Sequence, residues 1–196
     1  MTNALAESLT QLARDLDRMQ AAWALIGGFA VSVWVEPRFT RDVDVCVLVD
    51  DDASAERTAL ELRNLGYTVT SVVEHEYRDR LATVRLVSPV SGGILVDLLF
   101  ASSGIEPEIV TAATALEIVP GLVVPVAGPA ELVVLKLLAR DDDLRPQDAA
   151  DLVALRPTLT EADVARVRDL SALVVARGFD RERDLVGLAH DYLHGR

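Results

Sequence analysis

The sequence predicts an α/β fold, with a mixed sheet flanked by helices and followed by a C-terminal helical bundle. Three observations predict it. Stretches of strand character alternate with helical ones up to about residue 127. One stretch, "GILVDLLF", is nearly all apolar, as a strand buried on both faces must be. Beyond Gly128-Pro129 only helical patterns remain. A chain of 196 residues can bury a sizeable core. The expected division is a sheet-bearing domain over residues 1–127 and a helical domain over residues 128–196.

The elements follow in order. Leu5, Leu9, Leu12, Leu16 and Met19 recur at helical spacing and predict an amphipathic first helix. "WALIGG" then enters a turn, and "FAVSVWV" reads as a short buried helix that ends before Pro37. Val43, Val45, Val47 and Val49 mark a strand. Ala53 to Leu65 forms a helix closed by Gly66. "YTVTSVV", "LATVRLV" and "GILVDLLF" supply three more strands, the last of them central. "TALEIV" and "LVVPVA" flank a turn at Pro120-Gly121. Four helices close the chain: "PAELVVLKLLAR", "PQDAADLVAL", "TEADVARVRDLSALVVARG" and "DRERDLVGLAHDYL". Thr160 with Asp163 forms a capping pair at the head of the third.

Composition narrows the function classes. Hydrophobic residues make up 51% and charged residues 26%, which is globular. No apolar run reaches the roughly 18 residues of a membrane span. Glu7, Arg14, Asp15, Asp17 and Arg18 interrupt the N-terminal apolar residues, so no secretory signal is expected. The single cysteine, Cys46, sits in a strand; no disulfide framework exists, and a reducing cytoplasm is the expected location. A net charge of −12 argues against non-specific nucleic-acid binding, and no DNA partner is expected, although a local basic groove is compatible with it. The basic residues are eighteen arginines and one lysine, Lys136.

The chemistry concentrates at "LIGGFAVSVWVEPRFTRDVDVCVLVD". Side chains alternate along a strand, so Asp42 and Asp44 project to one side about 7 Å apart. Oxygen ligands at that spacing suit hard divalent cations. Asp97 stands in an apolar strand, where an ionised carboxylate must be paired or bound to metal. If its strand neighbours that of Asp42 and Asp44, three carboxylates converge in a set suited to two Mg²⁺ ions for phosphoryl displacement. Gly27 and Gly28 permit close backbone approach, and the amides of the following helix can hold phosphate oxygens. Thr40 adds a hydroxyl between Arg38 and Arg41, and Lys136 is a candidate counter-charge for a triphosphate.

Each feature has a plainer reading. An Asp-x-Asp at a strand start can be a solvated cap, a glycine pair a simple turn, and Lys136 a surface lysine. Asp97 is either a third metal ligand or a carboxylate paired with an arginine. The Asp141-Asp142-Asp143 run reads as a solvated helix terminus. His75, His190 and His194 lack partners at zinc spacing and read as surface residues. Trp23 and Trp34 read as core. Leu170 to Leu193 is core or partner-binding surface.

Taken together, "GG", "RFTRDVDV", "VDLLF" and "LKLLARDDDLRPQDAADL" resemble the DNA polymerase β-type nucleotidyltransferase superfamily, and within it the AbiEii/MenT-type toxin nucleotidyltransferases. The likeness spans about residues 25 to 155 and rests on Gly27, Gly28, Arg38, Thr40, Asp42, Asp44, Lys136, Arg140, Asp148 and Asp151. It implies a nucleotidyltransferase-type sheet. It also implies Mg²⁺ held by Asp42 and Asp44 and a nucleoside triphosphate as donor. In the reading adopted, Mn²⁺ can replace Mg²⁺, and Asp97 helps bind the metal and activates the acceptor hydroxyl. The remaining motif residues would orient the nucleotide. The acceptor hydroxyl implied is a tRNA 3′ end, and the partner implied is a neutralising antitoxin. Two rivals accompany this reading. The acidic surface suits a cationic small-molecule acceptor such as an aminoglycoside, and a degenerate nucleotidyltransferase fold would only bind a partner.

Overall fold

The computed structural model describes residues 3–36, 40–75, 80–90, 92–141 and 146–195. Arg38, Asp142 and Asp143 lie outside the described residues, as does the side chain of His75.

Helix α1 (Asn3–Arg18) buries Leu5, Leu9, Leu12 and Leu16 against strands β1 (Ala22–Ile26) and β2 (Asp42–Leu48). Between these strands runs α2 (Gly27–Trp34). Helix α3 (Asp52–Asn64) is capped by Asp51, whose carboxylate accepts the Ser54 amide at 2.8 Å, and Gly66 closes it at φ +100°. Strands β3 (Thr68–His75), β4 (Arg80–Val87) and β5 (Leu95–Leu99) follow, then α4 (Glu106–Ala112) and the hairpin of β6 (Thr114–Val119) and β7 (Leu122–Val126).

The seven strands form one sheet in the order β3-β4-β5-β2-β1-β7-β6. It is mixed: β2 runs parallel to β5 and β1 to β7, and the other neighbours are antiparallel. The apolar strand β5 is interior, between β4 and β2, as its sequence predicts. The remaining helices are α5 (Pro129–Ala139), α6 (Pro146–Leu155), α7 (Glu161–Ala176) and α8 (Leu185–His194). Helix α5 packs on α2 and on the other three, so one hydrophobic core runs from α1 through the sheet to α8.

Three elements differ from the sequence expectation. The run "AWALI" is a strand, not part of a turn; five apolar residues with a single face pattern give no period to read. Helix α4, only seven residues long, carries too few turns for a period. The last helix begins at Leu185, not at residue 180, because Arg181 and Glu182 adopt left-handed φ values of +55° and +58°. Trp23 is buried, as expected, and Trp34 is partly buried with its indole donating to the Ala127 carbonyl at 2.8 Å.

Thr160 and Asp163 form a reciprocal capping box: Asp163 Oδ2 accepts from the Thr160 amide at 2.9 Å, and Thr160 Oγ1 accepts from the Asp163 amide at 3.2 Å. Thr160→Ala therefore removes a cap and is expected to cost about 1 kcal/mol. Urea unfolding should show a lower midpoint at unchanged slope.

Candidate active site

The register of three strands builds the site. Asp44 on β2 is the Cα partner of Asp97 on β5, and Asp97 is the Cα partner of Arg85 on β4. On the other side Asp44 faces Ile26, the last residue of β1. A row Arg85–Asp97–Asp44 thus crosses the sheet, and alternation puts Asp42 on the same face as Asp44. The two expectations for Asp97 meet here. Its strand does neighbour that of Asp42 and Asp44, and its carboxylate is paired with an arginine. Arg85 donates from Nε to Asp97 Oδ1 at 2.7 Å and from Nη2 to Oδ2 at 2.6 Å, a two-pronged clamp on a buried carboxylate. The hydrogen bond to Asp97 and then its charge hold the Arg85 proton more tightly than an ordinary arginine, and Asp42 and Asp44 add to this.

Gly27 explains the glycine pair. It has φ +67°, and a Cβ built on it would lie 1.9 Å from Asp44 Oδ2. The carboxylate of Asp44 occupies the space where any side chain at 27 would go. Glycine is required twice over, by the backbone and by the neighbour.

The opposite wall comes from α5 and α6. Lys136 Nζ lies 2.6 Å from Asp148 Oδ1 and 2.9 Å from Asp151 Oδ2, and all three side chains are buried. Pro146 stands at the first position of α6, where a missing amide proton costs nothing, so Asp148 falls in the first turn and Asp151 one turn later on the same side.

Between these walls lies a cleft of about 800 Å³. Gly27, Gly28, Thr40, Asp42, Asp44, Asp97, Lys136 and Asp148 all line it. Asp151 stands behind Lys136 and Arg140 caps α5; neither belongs to the lining. Arg38 lies outside the described residues. Among the described residues, no group of three or more His, Cys, Asp or Glu is arranged to hold a metal ion. Asp42 and Asp44 fit a hard divalent cation by donor chemistry, whereas both oxygens of Asp97 are already engaged by Arg85.

The family model described as "Nucleotidyl transferase AbiEii toxin, Type IV TA system" matches residues 11–190. The chain belongs to the AbiEii nucleotidyltransferase toxin family. No curated protein matches it. Among solved structures it is similar to an antigenic nucleotidyltransferase-like protein from Paracoccidioides brasiliensis, with TM-score 0.58 and 18% identity over 96% of this chain and 93% of that one. The antibiotic-resistance factor ANT(2″)-Ia is similar at TM-score 0.57 and 16% identity, covering 99% and 100%. In its complex with adenylyl-2″-tobramycin the values are 0.54 and 14%, covering 88% and 98%. At such identities the likeness is one of fold, and it is the nucleotidyltransferase fold.

Three features of this AbiEii-family cleft escaped the sequence reading. Arg85 is one; its signal was a cation in the middle of the strand preceding a carboxylate that needed one. The loop after β5 is another: buried Glu106 accepts from the Ser102 amide at 2.9 Å and from the Ser103 amide at 2.7 Å, fixing two cleft-lining serines. The third is Arg181, which lines the cleft from the α7–α8 connection and donates to the Ser102 carbonyl at 3.1 Å. From the same connection, Arg177 donates to the Gly104 carbonyl and Arg183 to the Arg140 carbonyl. No pattern in residues 156–196 announces these bonds.

Two stability measurements check the site. Gly27→Ala forces a left-handed alanine and should cost about 1–2 kcal/mol for the backbone alone, plus the collision with Asp44. Adding Asp44→Ala removes the two nearest contacts, with Oδ2 and Cγ, and leaves the Cβ at 2.7 Å, so a double-mutant cycle in urea should show the pair less damaging than the sum, with part of the collision remaining. Lys136→Met strands two buried carboxylates and is expected to cost about 3–5 kcal/mol. Asp148→Asn in the same chain should recover part of that loss.

Proposed function

We propose that this chain transfers a nucleoside monophosphate from a nucleoside triphosphate to an acceptor hydroxyl at a tRNA 3′ end, as the Mg²⁺-dependent toxin of a cytoplasmic toxin–antitoxin pair. The observation that carries the reading is the Asp42–Asp44 pair at the foot of the cleft, with Gly27 cut away to seat Asp44. Membership of the AbiEii family supports the reaction class and the existence of an antitoxin.

In this reading Asp42 and Asp44 hold Mg²⁺ or Mn²⁺. When bound, the cation neutralises phosphate oxygens and lowers the cost of charge developing between donor and acceptor. Gly27, Gly28 and Thr40 orient the triphosphate from the β2 side, a role shared with Arg38, and Lys136, set by Asp148 and Asp151, faces it from α5. Arg140 holds the end of that helix. The acceptor oxygen bonds to the α-phosphorus as the bond to the pyrophosphate oxygen breaks, and the hydroxyl proton leaves to solvent. Acceleration comes mostly from positioning and charge neutralisation. Residues 1–127 supply the chemistry and residues 128–196 the facing wall.

A second reading keeps the chemistry and changes the acceptor. A net charge of −12 suits a cationic small molecule of the aminoglycoside kind, and the fold neighbour ANT(2″)-Ia carries adenylyl-2″-tobramycin. Incubation of the protein with α-labelled nucleotides, Mg²⁺ and either total RNA or aminoglycosides separates the two. Label in the tRNA fraction supports the first. No transfer to either acceptor leaves only the binding-module reading.

Asp42→Ala and Asp44→Ala are each expected to lower transfer by at least on the order of 100-fold, with metal-free stability unchanged or higher because two crowded like charges are relieved. Growth after induction should be restored by both. Full transfer by either variant at saturating Mg²⁺ would remove the metal assignment.

A further inference from the structure

We propose that the outer arm of the sheet, through Val73 on β3, Thr83 on β4 and Leu99 on β5, is the platform that seats the acceptor's terminal nucleoside. The inference rests on the nucleotidyltransferase reading and deepens it.

The register builds the platform. Leu99 is the Cα partner of Thr83, and Thr83 of Val73, so the three side chains share one face of adjacent strands. Leu99 stands two residues from Asp97 and Thr83 two from Arg85, which is the same face again. The row therefore runs beside Arg85–Asp97–Asp44 and lines the same cleft. Its chemistry differs: two aliphatic side chains and one hydroxyl lie next to a row made of charges. With strands about 4.8 Å apart, it extends about 10 Å from Leu99 to Val73. Val73, on the edge strand, is 53% exposed.

Direction decides what the platform carries. Gly27 and Gly28 open the helix after β1, and Lys136 stands on α5, which packs on that helix. The triphosphate thus belongs on the β1 side of Asp44. In-line displacement puts the attacking oxygen opposite the leaving pyrophosphate, so the acceptor enters from the β5–β4–β3 side. A nucleobase has a flat face that apolar side chains can hold. Thr83 Oγ1 and Ser102 Oγ, both in the cleft lining, have no hydrogen-bond partner among the described residues and are left for its polar edge. A cationic sugar finds less here. Among the described residues lining this arm the one carboxylate is Asp97, and Arg85 spans it at 2.7 and 2.6 Å. Nη1 of Arg85 takes part in neither bond and is left for the phosphate that precedes the terminal nucleoside. Arg41 and Arg181 also line the cleft, and they add positive charge, not negative.

Two neighbours in sequence supply the test. Val72 and Val73 sit side by side on the edge strand at 55% and 53% exposure, but Val72 pairs with buried Val84 and points to the opposite face. Transfer from each of the four α-labelled nucleotides to bulk tRNA is measured for the full-length wild type and its variants. The salt is held at about 0.15 M, where the screening length is about 8 Å. KM is taken separately for tRNA and for nucleotide. Val73→Asp should raise the tRNA KM about tenfold by repelling the acceptor's phosphates. The nucleotide KM should hold, because Asp44 lies three strand spacings away, about 14 Å. Val72→Asp puts the same charge on the same strand and should change neither. Thr83→Val keeps the side chain's shape and should raise the tRNA KM about threefold to tenfold; it covers the case in which Val73→Asp folds poorly. An unchanged tRNA KM in Thr83→Val or in folded Val73→Asp, or a matching rise in Val72→Asp, overturns this inference alone. So does a wild type that labels aminoglycosides and not tRNA. A wild type that transfers to neither acceptor sinks the nucleotidyltransferase reading and the inference with it.

Discussion

Three carboxylates on one face of three neighbouring strand positions repel each other, and the centre of this fold is organised around containing that repulsion. The parallel register of β2 and β5 sets Asp44 beside Asp97, and the antiparallel register of β4 and β5 delivers Arg85 to Asp97. A shift of either register by one residue would turn the same charges into the apolar core formed by Val43, Val45 and Val47. The sheet is thus held in register from both sides, by valines that must be buried and by aspartates that must not. Gly27 completes the arrangement by giving the Asp44 carboxylate room that no other residue would leave.

The facing wall solves a similar problem in reverse. Lys136, on α5, is a single cation between two buried carboxylates of α6. Such a group costs desolvation energy and is weak evidence of net stabilisation. Its effect is geometric: α6 is tied to α5 at a fixed height, and the cleft between that wall and the sheet has a defined width. Position in the cleft, not stability, is what these three charges set.

Much of this was legible in the sequence, for identifiable reasons. Asp42 and Asp44 are two residues apart on one strand, so local spacing alone places them together; Gly27 reaches Asp44 through the pairing of β1 with β2. The interior position of β5 followed from its nearly all-apolar run, and the Thr160–Asp163 cap from a local pattern. Strand β1 was missed because five apolar residues have no distinctive period, and α4 because it is two turns long. Arg85 could be suspected but not assigned, since the partner of a buried carboxylate depends on strand order, which no local pattern contains. Lys136 was read as a cation facing the nucleotide, and the structure adds that two carboxylates already hold it; that pairing arises from the packing of α6 on α5.

The connection between α7 and α8 shows why the last forty residues looked silent. Arg181 and Arg183 bind the main-chain carbonyls of Ser102 and Arg140, one at the end of β5 and the other at the end of the lysine helix. Every residue offers the same carbonyl, so substitutions at 102 or 140 leave these bonds in place. Pairs of this kind have no reason to change together as sequences diverge. A coupling between the two walls of the cleft can therefore persist through drift without leaving a correlated signature, and methods that look for residues varying in concert would pass over it.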